Sequence, residues 1–165
     1  MNPSKGGWVV ALSILLAMLA TVVHLPENWP NWLGWLRPNW LLVVLFFWVM
    51  ELPERIGLIA AWIIGLFTDA LLAQPLGLNA ILFASFPYFT WSFFERLRMF
   101  SVLQQGGVLF LLVLTVEIVR ELVAEFGGTA QGISWGVLSI ALISALVWPV
   151  IYLILLRVRI IARVE

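Results

Sequence analysis

The sequence predicts an all-α integral membrane protein, folded as a compact bundle of six transmembrane helices. Three observations carry that expectation. The 165 residues are 63% hydrophobic and 11% charged, with a mean hydropathy of +1.06, whereas a soluble domain is about a quarter charged. The apolar residues gather into six segments, most of them near the roughly 20 residues that cross a bilayer. The basic residues divide unequally between the connecting loops. The length suits one domain, read as a single polytopic membrane domain over residues 1–165.

The segments fall at about 8–25, 39–52, 56–73, 76–94, 106–126 and 133–156. Lys5 followed by an apolar run from Trp8 has the outline of a signal peptide. The run is long, no small-residue cleavage site follows, and further segments come after it, so it reads as a retained first helix. The second segment spans only about 21 Å at 1.5 Å per residue. It must either start nearer Trp35 or be held within the bundle, and Pro53 ends it. With both termini inside, Lys5, Arg55, Arg96, Arg98, Arg157, Arg159 and Arg163 are internal and Arg37 is external. That imbalance is a strong positive-inside signal.

The loop before the second helix, PENWPNWLGWLRP, repeats tryptophan every third residue at Trp29, Trp32 and Trp35. Tryptophan favours the headgroup layer, where ring and N–H are both satisfied. The loop is expected to lie flat on the outer surface, as a belt or as a docking patch. His24 reads as an interfacial residue.

Charges inside the apolar segments are costly and call for a partner. In the third segment Gly57, Ala61, Gly65, Asp69 and Ala73 recur every four residues and share one helix face. Small residues there let another helix approach closely, so Asp69 continues a packing face, and Gly57, Ala61, Gly65 and Gly77 are the expected helix-packing positions. Three partners are open to it: Arg37 at the same depth, the backbone N–H groups of the following QPLG turn that ends at Gly77, or an external ligand. In the fifth segment Glu117, Glu121 and Glu125 are four apart, with Arg120 three beyond Glu117. Arg120 can pair with Glu117. The acidic stripe then needs a protein-lined or hydrated face, as structural glutamates, a cation or proton path, or a partner contact. Pro87 and Pro149 are expected to kink their helices. Gly136, Ala141 and Ala145 offer close-packing positions in the sixth.

Much chemistry is excluded. There is no cysteine and one histidine, so neither thiol chemistry nor a metal cluster is expected. No glycine-rich phosphate loop occurs, and no serine has an activating base. The expectation is a non-enzymatic protein with no cofactor and no metal. A formal net charge of zero gives no reason to expect nucleic acid.

The stretches RPNWLLVVLFFWVMELPERIG, Arg37 to Gly57, and GLFTDALLAQPLGLNA, Gly65 to Ala80, together resemble the bacterial rod shape-determining MreD family. The size, short N-terminus and basic C-terminus also fit, and the resemblance covers nearly the whole chain. It implies a component of the cell-elongation machinery in the inner membrane. Its implied partners are MreC directly and, through it, MreB filaments and the glycosyltransferase–transpeptidase that builds lateral cell wall. A homodimer and the lipid bilayer complete the partners considered. The resemblance also implies a fold similar to the substrate-binding components of vitamin transporters, and carries over Arg37, Pro38, Gly65, Asp69 and Gly77. Two departures are Glu54, where a histidine is expected, and the added charge of Arg120. The competing reading is a small transporter or ligand-binding bundle with Asp69 and Glu117 in a polar central cavity.

Overall fold

The computed structural model describes residues 6–22, 37–53, 56–128 and 134–162, with the backbone alone at 93–96 and 98. Trp29, Trp32 and Trp35 of the tryptophan loop and His24 lie outside the described residues, as do Lys5, Glu54, Arg55 and Arg163. Among the described residues the chain is all-helical, with no strand. The six helices are α1 (Gly7–Val22), α2 (Trp40–Glu51), α3 (Leu58–Leu71), α4 (Leu78–Met99), α5 (Val102–Phe126) and α6 (Trp135–Ile161).

The short second segment is indeed held within the bundle. Asn39 fixes its start: its side-chain oxygen accepts from the Leu42 N–H at 3.2 Å, satisfying one of the donors a helix leaves unpaired at its N-terminus. Every residue from Leu41 to Met50 is buried. A helix apolar all round belongs in a core, and α2 packs against α1, α4, α5 and α6. Its aromatic side chains make the centre. Phe46 meets Trp148 of α6 edge-on at 5.0 Å between ring centroids, and Phe47 meets Tyr152 at 5.7 Å. Trp48 donates to Ser13 Oγ of α1 at 2.8 Å.

Four of the other helices form two antiparallel pairs around this axis, α3 with α4 and α5 with α6, while α1 packs on α2 itself. In the first pair Gly65 is indispensable to the spacing. A Cβ there would lie 2.4 Å from the Ala80 Cα. In the second pair Gly106 plays a milder version of the role, with the Ala145 carbonyl 3.3 Å from where its Cβ would be. Both proline-containing helices run continuously through Pro87 and Pro149. The turn into α5 is closed by a capping box: Ser101 N donates to Gln104 Oε1 at 2.9 Å, and Gln104 N donates back to Ser101 Oγ.

Length and apolarity do not match the expected six spans one for one. Among the described residues, one helix, over residues 136–161, is long and apolar enough to cross a membrane. The helices α1, α2 and α3 are apolar but have 16, 12 and 14 residues. The long α4 and α5 carry their own polar and charged residues, and those residues form the site.

At the end of the bundle reached by α2 Glu51, an ion pair joins Arg159 of α6 to Glu51. The opposite end is marked by Arg37 and by the α3–α4 turn.

Candidate functional site

At the Arg37 end a chain of polar side chains crosses the bundle. It begins at Asp69, which is fully buried on α3. Its carboxylate accepts from Gly77 N at 2.8 Å, Asn79 N at 3.0 Å and Asn79 Nδ2 at 2.7 Å. The turn between α3 and α4 is shaped for this. Ala73 (φ 50°) and Gly77 (φ 99°) both take left-handed backbone, which glycine adopts without steric cost. Gly77 therefore aims the N–H groups at the head of α4 back at α3, where a carboxylate suits the positive end of the helix.

Asn79 passes the network on. Its Nδ2 also donates to Gln74 Oε1 at 2.6 Å. Its Oδ1 accepts from Arg120 of α5, with Nε at 2.9 Å. Arg120 in turn pairs with Glu117 at 2.8 Å and lies over the Phe83 ring, 6.0 Å from its centroid. Glu117 Oε1 also accepts from Asn39 Nδ2 at 2.7 Å. Asn39 N donates to Ser144 Oγ of α6 at 2.9 Å, and that hydroxyl donates to Ile140 O at 2.7 Å. One connected set thus ties α3, α4, α5, the head of α2 and α6.

Of the three partners open to Asp69, the backbone N–H groups of the turn are the ones it takes. Arg37 does not pair with it. Instead, Arg37 Nη2 donates to the carbonyls of Ala20 and of Thr21, the latter at 2.7 Å. These belong to the last turn of α1, whose carbonyls have no partner within the helix. A cation there also suits the negative end of the helix. Partial burial holds the Arg37 pKa below the ordinary guanidinium value. Pro38 is buried beside it, and its carbonyl accepts from Trp40 N at 3.0 Å.

The acidic stripe of α5 divides into three different environments. Glu117 is inside the network. Glu121 accepts from Ser134 N at 2.7 Å and Ser134 Oγ at 2.8 Å, at the head of α6. Glu125 is exposed. The glycine stripe of α3 also divides. Ala61 and Gly65 are buried, and Gly65 meets α4 closely. Gly57 precedes α3, and Gly77 shapes the turn; a Cβ at either would meet nothing within 4 Å. Neither of these two is a close-packing glycine, because the stripe runs past the stretch where α4 crosses.

One opening adjoins the network and a second lies nearer the opposite end of the bundle. A cavity of about 650 Å³ is lined at the Arg37 end by the α3–α4 turn and the last turns of α5, including Gln74 and Arg120. An apolar groove of about 410 Å³ lies between α4 and α5 over Phe46. Asp69 and Glu117 are among the described lining residues of neither. Among the described residues no cluster of ligating side chains would hold a metal.

The sequence reading missed Asn39, Gln74, Asn79 and Ser144, because it followed charge. Asn39 was detectable as a helix-capping asparagine just before an apolar run. Asn79, two residues beyond a turn glycine, gave no comparable signal.

The model of the rod shape-determining protein MreD family matches residues 3–158. The chain belongs to the MreD family. A rod shape-determining protein MreD of Haemophilus influenzae is similar at 30% identity over 154 residues, covering 92% of this chain and 91% of that one. No solved structure matches. Membership in the MreD family supports a role in determining rod shape. The network includes residues of both stretches that carry the family resemblance, from Asn39 and from Asp69 to Asn79.

Proposed function

We propose that this protein is a non-enzymatic scaffold of the bacterial cell-elongation machinery, embedded in the inner membrane through its six helices. Both chain termini lie on the cytoplasmic side, as the distribution of basic residues suggests, and the Arg37 end faces outward. The bundle binds the transmembrane helix of MreC and helps couple MreB filaments to lateral peptidoglycan synthesis.

The observation that carries this reading is how charge and apolar surface are divided. Asp69, Glu117 and Arg120 turn inward and find partners within the bundle. The outward sides of α1 and α3 present Leu12, Leu15, Leu16, Leu19, Ile59 and Phe67. An apolar exterior of this extent suits lipid and a partner helix. The interior network suits a frame that keeps its shape while a partner packs on its side. The small residues of α3 are used by α4, so a partner helix meets larger side chains.

The test is purification of the tagged protein from its native membrane in mild detergent. MreC at near-stoichiometric level is the expected companion, and tryptophan substitution at Leu15 or Phe67 should thin its recovery on the face it uses. A protein that emerges alone, or with an ATPase subunit, would overturn the scaffold reading in favour of transport.

A further inference from the structure

The cavity beside Arg120 has the makings of a ligand site. Its volume, about 650 Å³, lies in the range of small-molecule sites, roughly 300–1,000 Å³. Ala73, Pro75, Leu78 and Val123 give it apolar walls, and Gln74 and Arg120 give it polar ones. The side-chain polar atoms left over there are donors. A guanidinium has five N–H groups; Arg120 uses Nε, one on Nη1 and one on Nη2 within the network. Gln74 accepts through Oε1, and its amide nitrogen has no acceptor among the described residues. The cavity therefore offers unused N–H donors beside carbon surface.

From this arrangement we propose that the cavity binds the phosphodiester headgroup of a membrane phospholipid. Three features select that chemistry. Phosphate is the acceptor that a guanidinium fork matches best. The apolar walls suit the carbon chain that follows the headgroup. The cavity sits at the ends of α3 and α5, at headgroup depth if the bundle spans the membrane as proposed above, a placement on which the lipid source rests. Asp69 and Glu117 set against Arg120 leave the network one negative charge in excess. This favours a zwitterionic headgroup, whose phosphate arrives with its own cation, over an anionic one. Glu117 and Asn79 hold Arg120 in place, so the donors need no rearrangement to receive the phosphate.

The experiment is native mass spectrometry of the full chain released from detergent, with added phosphatidylethanolamine or, separately, its soluble headgroup, glycerophosphoethanolamine. Val123→Trp fills the cavity while leaving every polar side chain of the network in the chain, and Leu146→Trp places the same bulk on the exposed face of α6. One tightly retained phosphatidylethanolamine is expected in the parent and in Leu146→Trp, and none in Val123→Trp. Arg120→Gln should weaken retention by about tenfold or more, the worth of one charge-assisted hydrogen bond. Equal lipid retention in the parent and Val123→Trp would overturn the proposal, whether or not Arg120→Gln folds. Equal binding of the soluble headgroup, also lost in Val123→Trp, would keep the phosphate site and overturn its lipid source. Recovery of MreC is a separate measurement, so loss of the lipid site and loss of the scaffold reading would not be confused.

Discussion

Asp69 is held by donors that have little else to bond. Replacing it with alanine leaves Gly77 N, Asn79 N and one of the two N–H groups of Asn79 Nδ2 without their acceptor, and buried unpaired donors cost about 1–3 kcal/mol each. Asp69→Asn is also expected to destabilise, because one of its two positions would then present an N–H to another N–H. Both variants should lower the thermal unfolding midpoint in detergent, alanine by more. Couplings follow the bonds. Arg37 and Asp69 share no partner, so Arg37→Ala and Asp69→Ala should add. Asn39 and Arg120 share Glu117 Oε1, so Asn39→Ala and Arg120→Ala should depart from additivity by about 0.5–3 kcal/mol. A null coupling for the second pair in a double-mutant cycle would show that the network is not energetically connected.

Glycines separate the elements by what surrounds them. Gly65→Ala forces α3 and α4 apart against backbone atoms 2.4–2.5 Å away, a change expected to cost at least the roughly 1–3 kcal/mol of an overpacked core. Gly107, one residue beyond the crowded Gly106, has open space around its Cβ position inside α5. Gly107→Ala should stabilise by about 0.5–1 kcal/mol through helix propensity. Thermal unfolding of the two variants checks both signs. This contrast also marks what was readable in the sequence. Four-residue spacing identified a face of α3 and placed Ala61 and Gly65 on it. It could not say where α4 crosses, which is why Gly57 and Gly77 were assigned to packing. The short apolar run Leu41–Met50 was readable as a buried or truncated span. Only the other helices decide between those, and they bury it. The uncharged links Asn79 and Ser144 were the least readable, since their roles depend on helices distant in sequence.

At the scale of the molecule the bundle is fastened at both ends. The network ties five helices at the Arg37 end, and the Glu51–Arg159 pair joins α2 to α6 at the other. These two residues are 108 positions apart, beyond the reach of periodicity. Glu51→Ala leaves a partly buried arginine without its carboxylate and should destabilise. The exchange Glu51→Arg with Arg159→Glu should recover part of the loss in thermal unfolding, and failure to recover any would mean that the pair acts through something other than mutual charge.

The burial of α2 has a consequence for how the chain is made. α2 is the second helix of the fold, yet three of the four helices that cover it, α4, α5 and α6, are synthesised after it. Until they arrive, its apolar surface has nothing from the chain behind it but α1. Asn39 N waits for Ser144 and Glu51 waits for Arg159, both on α6. A nascent chain that stops before α6 therefore leaves Asn39 N without Ser144 and Glu51 without Arg159. Among these six helices α6 emerges last, so the centre around α2 closes only once α6 has been made.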